Sequence, residues 1–176
     1  VLGNSILFMD TRGKEYADQL RDLMGQERFY NINPNILGHQ YSLPKLKWIQ
    51  EHQPDLYRQT YKFLLWPDFV AFMFGCDPLT SYSVANRTLL FDIHQERWSE
   101  EILAITGIDK QLLPTPVPSG TIAGTISKAI ADELHLSHNV LMVVGGHDQC
   151  CNSLGAGIYE AGKAVCGLSL IHISEP

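Results

Sequence analysis

Val140-Leu-Met-Val-Val-Gly-Gly-His-Asp-Gln149 is an apolar run that stops at two glycines and then presents a carboxylate and an amide. Cys150 to Gly157 follows as a small-residue helix. A bounded apolar run of this length fits a buried strand. Open α/β sheets bind ligands just beyond the carboxyl ends of their strands. The spacing therefore predicts a strand over 140–144 that brings Asp148 to the mouth of an α/β sheet. Gly145 and Gly146 carry no side chains, so a ligand can approach the backbone closely there. Asp148 fits two roles equally well in that position: acceptor of a proton from a substrate hydroxyl, or cap of the following helix.

Outward from this stretch, strand and helix patterns interleave, which favours an α/β fold. A strand is expected over Ile6–Met9, a helix from Lys14 to Met24, and irregular chain from Phe29 to Gln40. A helix over Leu43–His52 carries Pro44 near its start, where a missing N–H is harmless, and Pro54 opens a new turn through Tyr57. Phe63–Phe74 is apolar on all sides and should be buried. Asp77–Thr80 reads as a turn. Ser99 caps a helix with Glu100 and Glu101 in its first turn and Gly107 at its end. Leu113–Gly120 is an extended, proline-set loop. Thr121–Ile126 alternates as a strand, Lys128–Leu134 is helical, and Gly162–Cys166 begins another strand.

The composition is that of a globular protein: 45% apolar and 18% charged residues. A net charge of −6 without a Lys/Arg block argues against nucleic-acid binding through a basic face. The strongest apolar stretch is short and interrupted by Pro67 and Asp68, so no membrane span is expected. No signal peptide is expected at Val1. Cys76, Cys150, Cys151 and Cys166 show no CxxC spacing. They are expected to be reduced and buried, in a reducing, cytoplasmic setting.

Several segments match a known pattern in order. Phe8-Met-Asp-Thr-Arg12 is similar to a W-x-D-x-R element. Leu43-Pro-Lys-Leu-Lys-Trp48 resembles P-K-L-x-W, and Glu51 to Tyr57 resembles E-x-x-P-x-x-Y. Ser81–Asp92 resembles D-x-S-x-A-S-x-T-x-L-x-D, with Thr88, Leu90 and Asp92 in phase. Trp98-Ser99 resembles W-S-x-E-L-L. Leu112–Pro114 with Val117–Gly120 resembles L-L-P…V-x-S-G, and Gly145–Gln149 resembles G-G-x-D-Q. Together these resemble the FGGY carbohydrate kinases.

The resemblance implies an actin-like, ribonuclease-H-like kinase N-terminal domain, here incomplete, with ATP and a sugar or polyol bound in a cleft between two domains. It implies Asp148 as the general base, Gln149 as a substrate-binding amide, and Asp10, Phe8 and Arg12 along the sugar pocket. Gly145 and Gly146 are expected beside the ATP phosphates, with Mg²⁺ neutralising charge. Phe8 departs from the more usual Trp. Assembly as a homodimer is left open. The runner-up reading is a non-catalytic sugar-binding or regulatory paralogue of the same fold.

The resemblance also divides the chain. Residues 1–158 are expected to be the sugar-binding N-terminal domain without its opening phosphate loop. Residues 159–167 would begin the ATP-binding domain. Leu168–Pro176 looks like a translated sequencing adapter and is expected to be foreign. Residues 1–176 alone are expected to be inactive.

Other features have competing uses. His147, Cys150 and Cys151 do not fit common zinc spacings. Trp48 and Trp66 are expected in core or helix packing rather than on a sugar. His39 and Tyr41 lie in a loop that borders substrate in some members. Lys45 and Arg12 are candidates to hold anions, with an Arg12–Asp10 ion pair as the competing structural role.

Overall fold

The computed structural model describes residues 1–166; the tail expected to be foreign and Gly167 lie outside the described residues. Five helices open the chain: α1 Lys14–Met24, α2 Gln26–Ile32, α3 Ser42–His52, α4 Pro54–Gln59 and α5 Trp66–Met73. Short strands and helices then alternate: β1 Leu79–Ser81, α6 Tyr82–Asn86, β2 Phe91–Asp92, β3 Arg97–Trp98, α7 Glu100–Thr106, β4 Thr115–Val117, β5 Ile122–Thr125, α8 Lys128–Glu133, β6 Leu141–Val143 and α9 Asp148–Gly155.

The helix signals in the sequence correspond to real caps. Ser99 accepts the Ile102 N–H at 3.3 Å, and Gly107 ends α7 in the left-handed conformation. Tyr16, Ala17, Leu20 and Met24 form the buried stripe of α1, at the spacing a 3.6-residue turn requires. Leu20 and Met24 of that stripe join Phe29, Leu43, Leu46, Ala85, Leu89, Leu90, Phe91, Trp98 and Ile102 in one hydrophobic core. The Trp98 indole meets Phe91 edge-on and donates its N–H to the Pro114 carbonyl at 2.8 Å, so the one polar atom of this buried side chain is satisfied.

The strands pair in twos. β1 and β4 run parallel, Leu79 opposite Thr115 and Ser81 opposite Val117. β2 pairs antiparallel with β3, and β5 antiparallel with β6. The pattern is mixed α/β, as expected, but several expectations need correction. Ile6–Met9 is not a strand: the Asp10 N–H bonds back to the Leu7 carbonyl at 3.1 Å and closes a turn. The expected irregular stretch from Phe29 begins inside α2, because Phe29 is wholly buried and anchors that helix to the core. Asp77–Thr80 runs into β1 and the proline-set loop contains β4, since each supplies the other's ladder bonds. The strand that carries the Gly-Gly pair exists, but it is not buried. It pairs with β5, and Leu141 and Val143 are each 52% exposed. The Phe63–Phe74 run is also not buried all round: Asp68 is the buried residue of α5, whereas Trp66 is 70% exposed. Gly162–Cys166 forms no strand. Of the cysteines, Cys76 is buried and Cys150, Cys151 and Cys166 are exposed; all four are free thiols.

The start of α1 crosses the start of α3 at Gly13. Its φ is +79°, and a Cβ there would sit 2.2 Å from the Pro44 carbonyl oxygen. Backbone atoms on a packed helix cannot yield to such a contact. Gly13→Ala should therefore cost at least ~2 kcal/mol, measurable as a lower urea midpoint with an unchanged slope; an unchanged midpoint would contradict this packing.

Candidate active site

The Gly-Gly loop is held at both ends. Val144 donates its N–H to Thr121 and accepts the Gly120 N–H, both at 2.8 Å. The His147 N–H then donates to Ser83 Oγ on α6 at 2.9 Å. Helix α9 begins directly afterwards, with His147 as its N-cap and Asp148 as its first residue. Asp148 does not cap by reaching forward to a later turn; its Oδ1 accepts the neighbouring Gln149 N–H at 2.8 Å and lies 3.1 Å from His147 Nδ1. The Asp148 side chain is 80% exposed, and Gln149 beside it is exposed as well.

The two glycines differ in their surroundings. A Cβ on Gly145 would meet nothing within 4 Å, so that backbone faces open space. A Cβ on Gly146 would press on Ser83 Oγ at 3.1 Å, Cys151 Sγ at 3.2 Å and Ser119 Oγ at 3.4 Å. Gly145 is thus the more accessible point for an incoming group, and Gly146 is packed against the domain.

A second cluster surrounds Asp10. The Arg12 guanidinium binds it through both carboxylate oxygens, at 2.9 and 2.8 Å, and the Arg12 N–H adds a third bond at 2.9 Å. These hydrogen bonds hold the Asp10 carboxyl below its ordinary range and push Arg12 up. Arg12 also lies over the Trp48 ring at 4.8 Å, and Trp48 stacks on His52. Lys45 is buried, with its ammonium on the carbonyls of Leu7, Phe8 and Gln40 at 2.8, 3.0 and 3.1 Å. Burial pushes Lys45 down, opposed by Asp10. Arg12 is paired with Asp10, and the Lys45 ammonium is engaged by backbone carbonyls. Phe8 is 59% exposed on the turn that Lys45 clamps. Tyr41 receives the Arg87 guanidinium over its ring at 4.6 Å and so belongs to a structural network with Asn35. Trp48 packs on its own helix as expected, whereas Trp66 stands out from the core. No hydrogen bond or ion pair joins the Asp10 cluster to the Asp148 loop among the described residues.

Between α5 and β6 lies a cleft of about 100 Å³, lined by Ala71, Val84, Ala123, Met142, Gly145 and Gly146 with two polar groups, Asp68 and Ser81. Asp68 accepts the Leu65 N–H at 3.3 Å, which tethers the start of α5. Burial pushes its carboxyl up to about 7, opposed by the Thr80 hydroxyl and the Leu65 N–H. The buried Thr80 hydroxyl meets no partner at full hydrogen-bond geometry. Among the described residues no group of three His, Cys, Asp or Glu side chains is arranged to hold a metal ion. No helix among them is long and apolar enough to cross a membrane.

Sequence reasoning missed Ser83 and Asp68. Ser83 lay inside the matched Ser81–Asp92 segment, and its role depends on a contact 64 residues away. Asp68 was visible as a carboxylate inside an apolar run, which is the signature of a buried polar tether.

A model of the FGGY family of carbohydrate kinases, N-terminal domain, matches residues 1–155. The chain belongs to the FGGY family of carbohydrate kinases. It is 33% identical over 168 residues to a xylulose kinase of Bacillus subtilis, covering 96% of this chain and 34% of that one. Among solved structures, a xylulose kinase from Brucella ovis superposes with a TM-score of 0.78 at 29% identity, over 88% of this chain and 31% of that one. A gluconate kinase from Lactobacillus acidophilus superposes with a TM-score of 0.81 at 19% identity, over 89% and 32%. The fold is thus the actin-like kinase N-terminal fold, and the chain spans about a third of the length of the curated relatives it matches.

Because the fold raises Asp68 above its ordinary 3.8, the folded state holds this proton more tightly than the unfolded chain. The stability it contributes is full at low pH and is lost as pH rises from about 4 to about 7. Asp68→Asn should therefore be more stable than the natural chain at pH 8, by ~1–3 kcal/mol, with a smaller difference at pH 5. Urea denaturation at the two pH values checks this, and a variant weaker at pH 8 would contradict it.

Proposed function

We propose that the complete protein containing this chain transfers the γ-phosphoryl group of ATP to a hydroxyl of a sugar or polyol, with xylulose as the first substrate to try. The observation that carries this reading is the geometry of Asp148: a carboxylate exposed at the first turn of α9, on a loop fixed by Val144 and Ser83. Asp148 takes the proton of the attacking hydroxyl as its oxygen bonds to the γ-phosphorus and ADP departs. A positioned base contributes roughly 10²–10⁴-fold; the remainder of such a reaction rests on alignment and charge neutralisation.

Gln149 is adjacent and exposed, and its amide can both donate to and accept from sugar hydroxyls. Asp10, fixed by Arg12, borders the pocket as an acceptor of hydroxyl hydrogen bonds, and the exposed Phe8 ring supplies an apolar wall. Arg12 acts here by orienting Asp10. Gly145 leaves its backbone open to a phosphate, and Gly146 keeps the loop close to the domain. Mg²⁺ would travel with the phosphates and supply charge neutralisation, held chiefly by their oxygens and by water. We assign residues 1–158 to the sugar-binding domain and the following residues to the start of an ATP-binding domain, so residues 1–176 alone are inactive in this reading. The relatives named for xylulose favour a ketose, and a cytoplasmic setting is part of the same proposal.

ADP release by the complete protein with ATP, Mg²⁺ and a panel of ketoses, aldonates and polyols tests the proposal. Turnover should occur on one sugar and fall by ~10²–10⁴ in Asp148→Asn. Full activity in that variant would mean that another group is the base, and binding of a sugar without ADP release would make the protein a non-catalytic receptor.

A further inference from the structure

The backbone that leads to Asp148 has one weak section. Val144 is clamped on both of its polar groups, and α9 begins its own ladder where the Cys151 N–H bonds to the His147 carbonyl at 3.0 Å. Gly145 and Gly146 lie between, and glycine is the residue with the widest choice of backbone conformations. Neither glycine makes a hydrogen bond among those of the described residues. His147 caps no helix bond with its side chain. The bond that fixes this section is the His147 N–H to Ser83 Oγ at 2.9 Å.

Ser83 is itself held. Its Oγ lies 3.1 Å from Ser81 Oγ, and Ser81 is buried and caps α6 by accepting the Val84 N–H at 3.2 Å. With its lone pair on His147, the Ser83 hydroxyl has its proton free for Ser81. The tether therefore runs from the helix cap, through two hydroxyls, to the loop. Gly146 packs on the same oxygen, since a Cβ there would lie 3.1 Å from it.

We propose that Ser83 is a positioning residue for phosphoryl transfer: its hydroxyl fixes the His147 backbone and so sets the direction in which Asp148 meets the substrate hydroxyl. The inference rests on Asp148 being the base. Ser83 touches no reacting atom in this account. Its effect falls on kcat, because a base displaced by about 1 Å costs up to 10²-fold in rate while sugar binding is kept.

The test uses the complete protein with its best sugar and compares Ser83→Ala, Ser83→Thr and Asp148→Asn. Ser83→Ala should lower kcat by ~10-fold or more with KM changed less than ~2-fold, and Ser83→Thr, which keeps the hydroxyl, should restore most of it. Amide hydrogen exchange at His147 should quicken in Ser83→Ala and not in Ser83→Thr. If Ser83→Ala does not fold, Ser83→Cys carries the comparison, being close in size and a weak acceptor. An inactive Asp148→Asn beside a Ser83→Ala of normal kcat would overturn the positioning role alone. Equal losses in the Ala and Thr variants would also overturn it, since the hydroxyl would then not be the cause. An active Asp148→Asn would remove the base and the positioning role together.

Discussion

A short buried segment, Ser81 to Thr88, receives hydrogen bonds from three distant parts of the chain, and the candidate site depends on it. Ser83 accepts the His147 N–H. The Asn86 carbonyl accepts the side-chain amides of Asn33 and Asn35, at 3.0 and 3.2 Å. The Thr88 carbonyl accepts the Leu43 N–H at 2.9 Å, and two residues after Leu43 stands Lys45, which clamps the Phe8 turn. One end of α6 thus holds the loop of Asp148, and the other holds the helix that steadies Asp10. The segment can serve as this anchor because Ala85, Leu89 and Leu90 are fully buried in the core. A surface segment would move with solvent, whereas a close-packed one transmits position.

The polar groups buried around this anchor show how the domain keeps irregular backbone in place. Asn33 is fully buried and its amide serves both the Asn86 and Phe91 carbonyls. Lys45, itself buried, donates to three carbonyls of irregular backbone, those of Leu7, Phe8 and Gln40. Asp68 gives α5 its first-turn acceptor at the cost of a carboxylate in an apolar cleft. Each replaces regular secondary structure with a side chain, and leaving such groups unpaired would cost about 1–3 kcal/mol each. Regular ladders are short here, with strands of two to four residues, so side-chain tethers carry the registration that a wider sheet would supply.

Much of this was legible in the sequence, for physical reasons that differ by element. The helices α1, α3 and α7 followed from apolar spacing and from local stop signals at Ser99 and Gly107, both of which act within a few residues. The run of matched motifs placed the family correctly. Position in the third dimension was harder to read. Ile6–Met9 has strand composition, but its carbonyls are taken by Lys45 and its backbone turns. Val140–Val144 is a strand, yet its exposure depends on what packs against it, and apolar periodicity alone does not supply that. Trp66 and Phe72 are apolar residues of a helix whose buried member is an aspartate. Ser83 was unreadable as a tether because its partner is a backbone N–H, which has no signature in sequence. Asp10 with Arg12 could be read in either of two ways, and the geometry favours the ion pair.

The central claim is that Asp148 faces the hydroxyl that is phosphorylated. A crystal structure of the complete protein with its sugar and a non-hydrolysable ATP analogue tests it most directly. The account predicts an Asp148 carboxylate oxygen about 2.6–3.2 Å from one sugar hydroxyl, with that hydroxyl aimed at the γ-phosphorus and Ser83 still on the His147 N–H. A sugar bound with its phosphorylated hydroxyl out of reach of Asp148, and close to some other carboxylate, would contradict it.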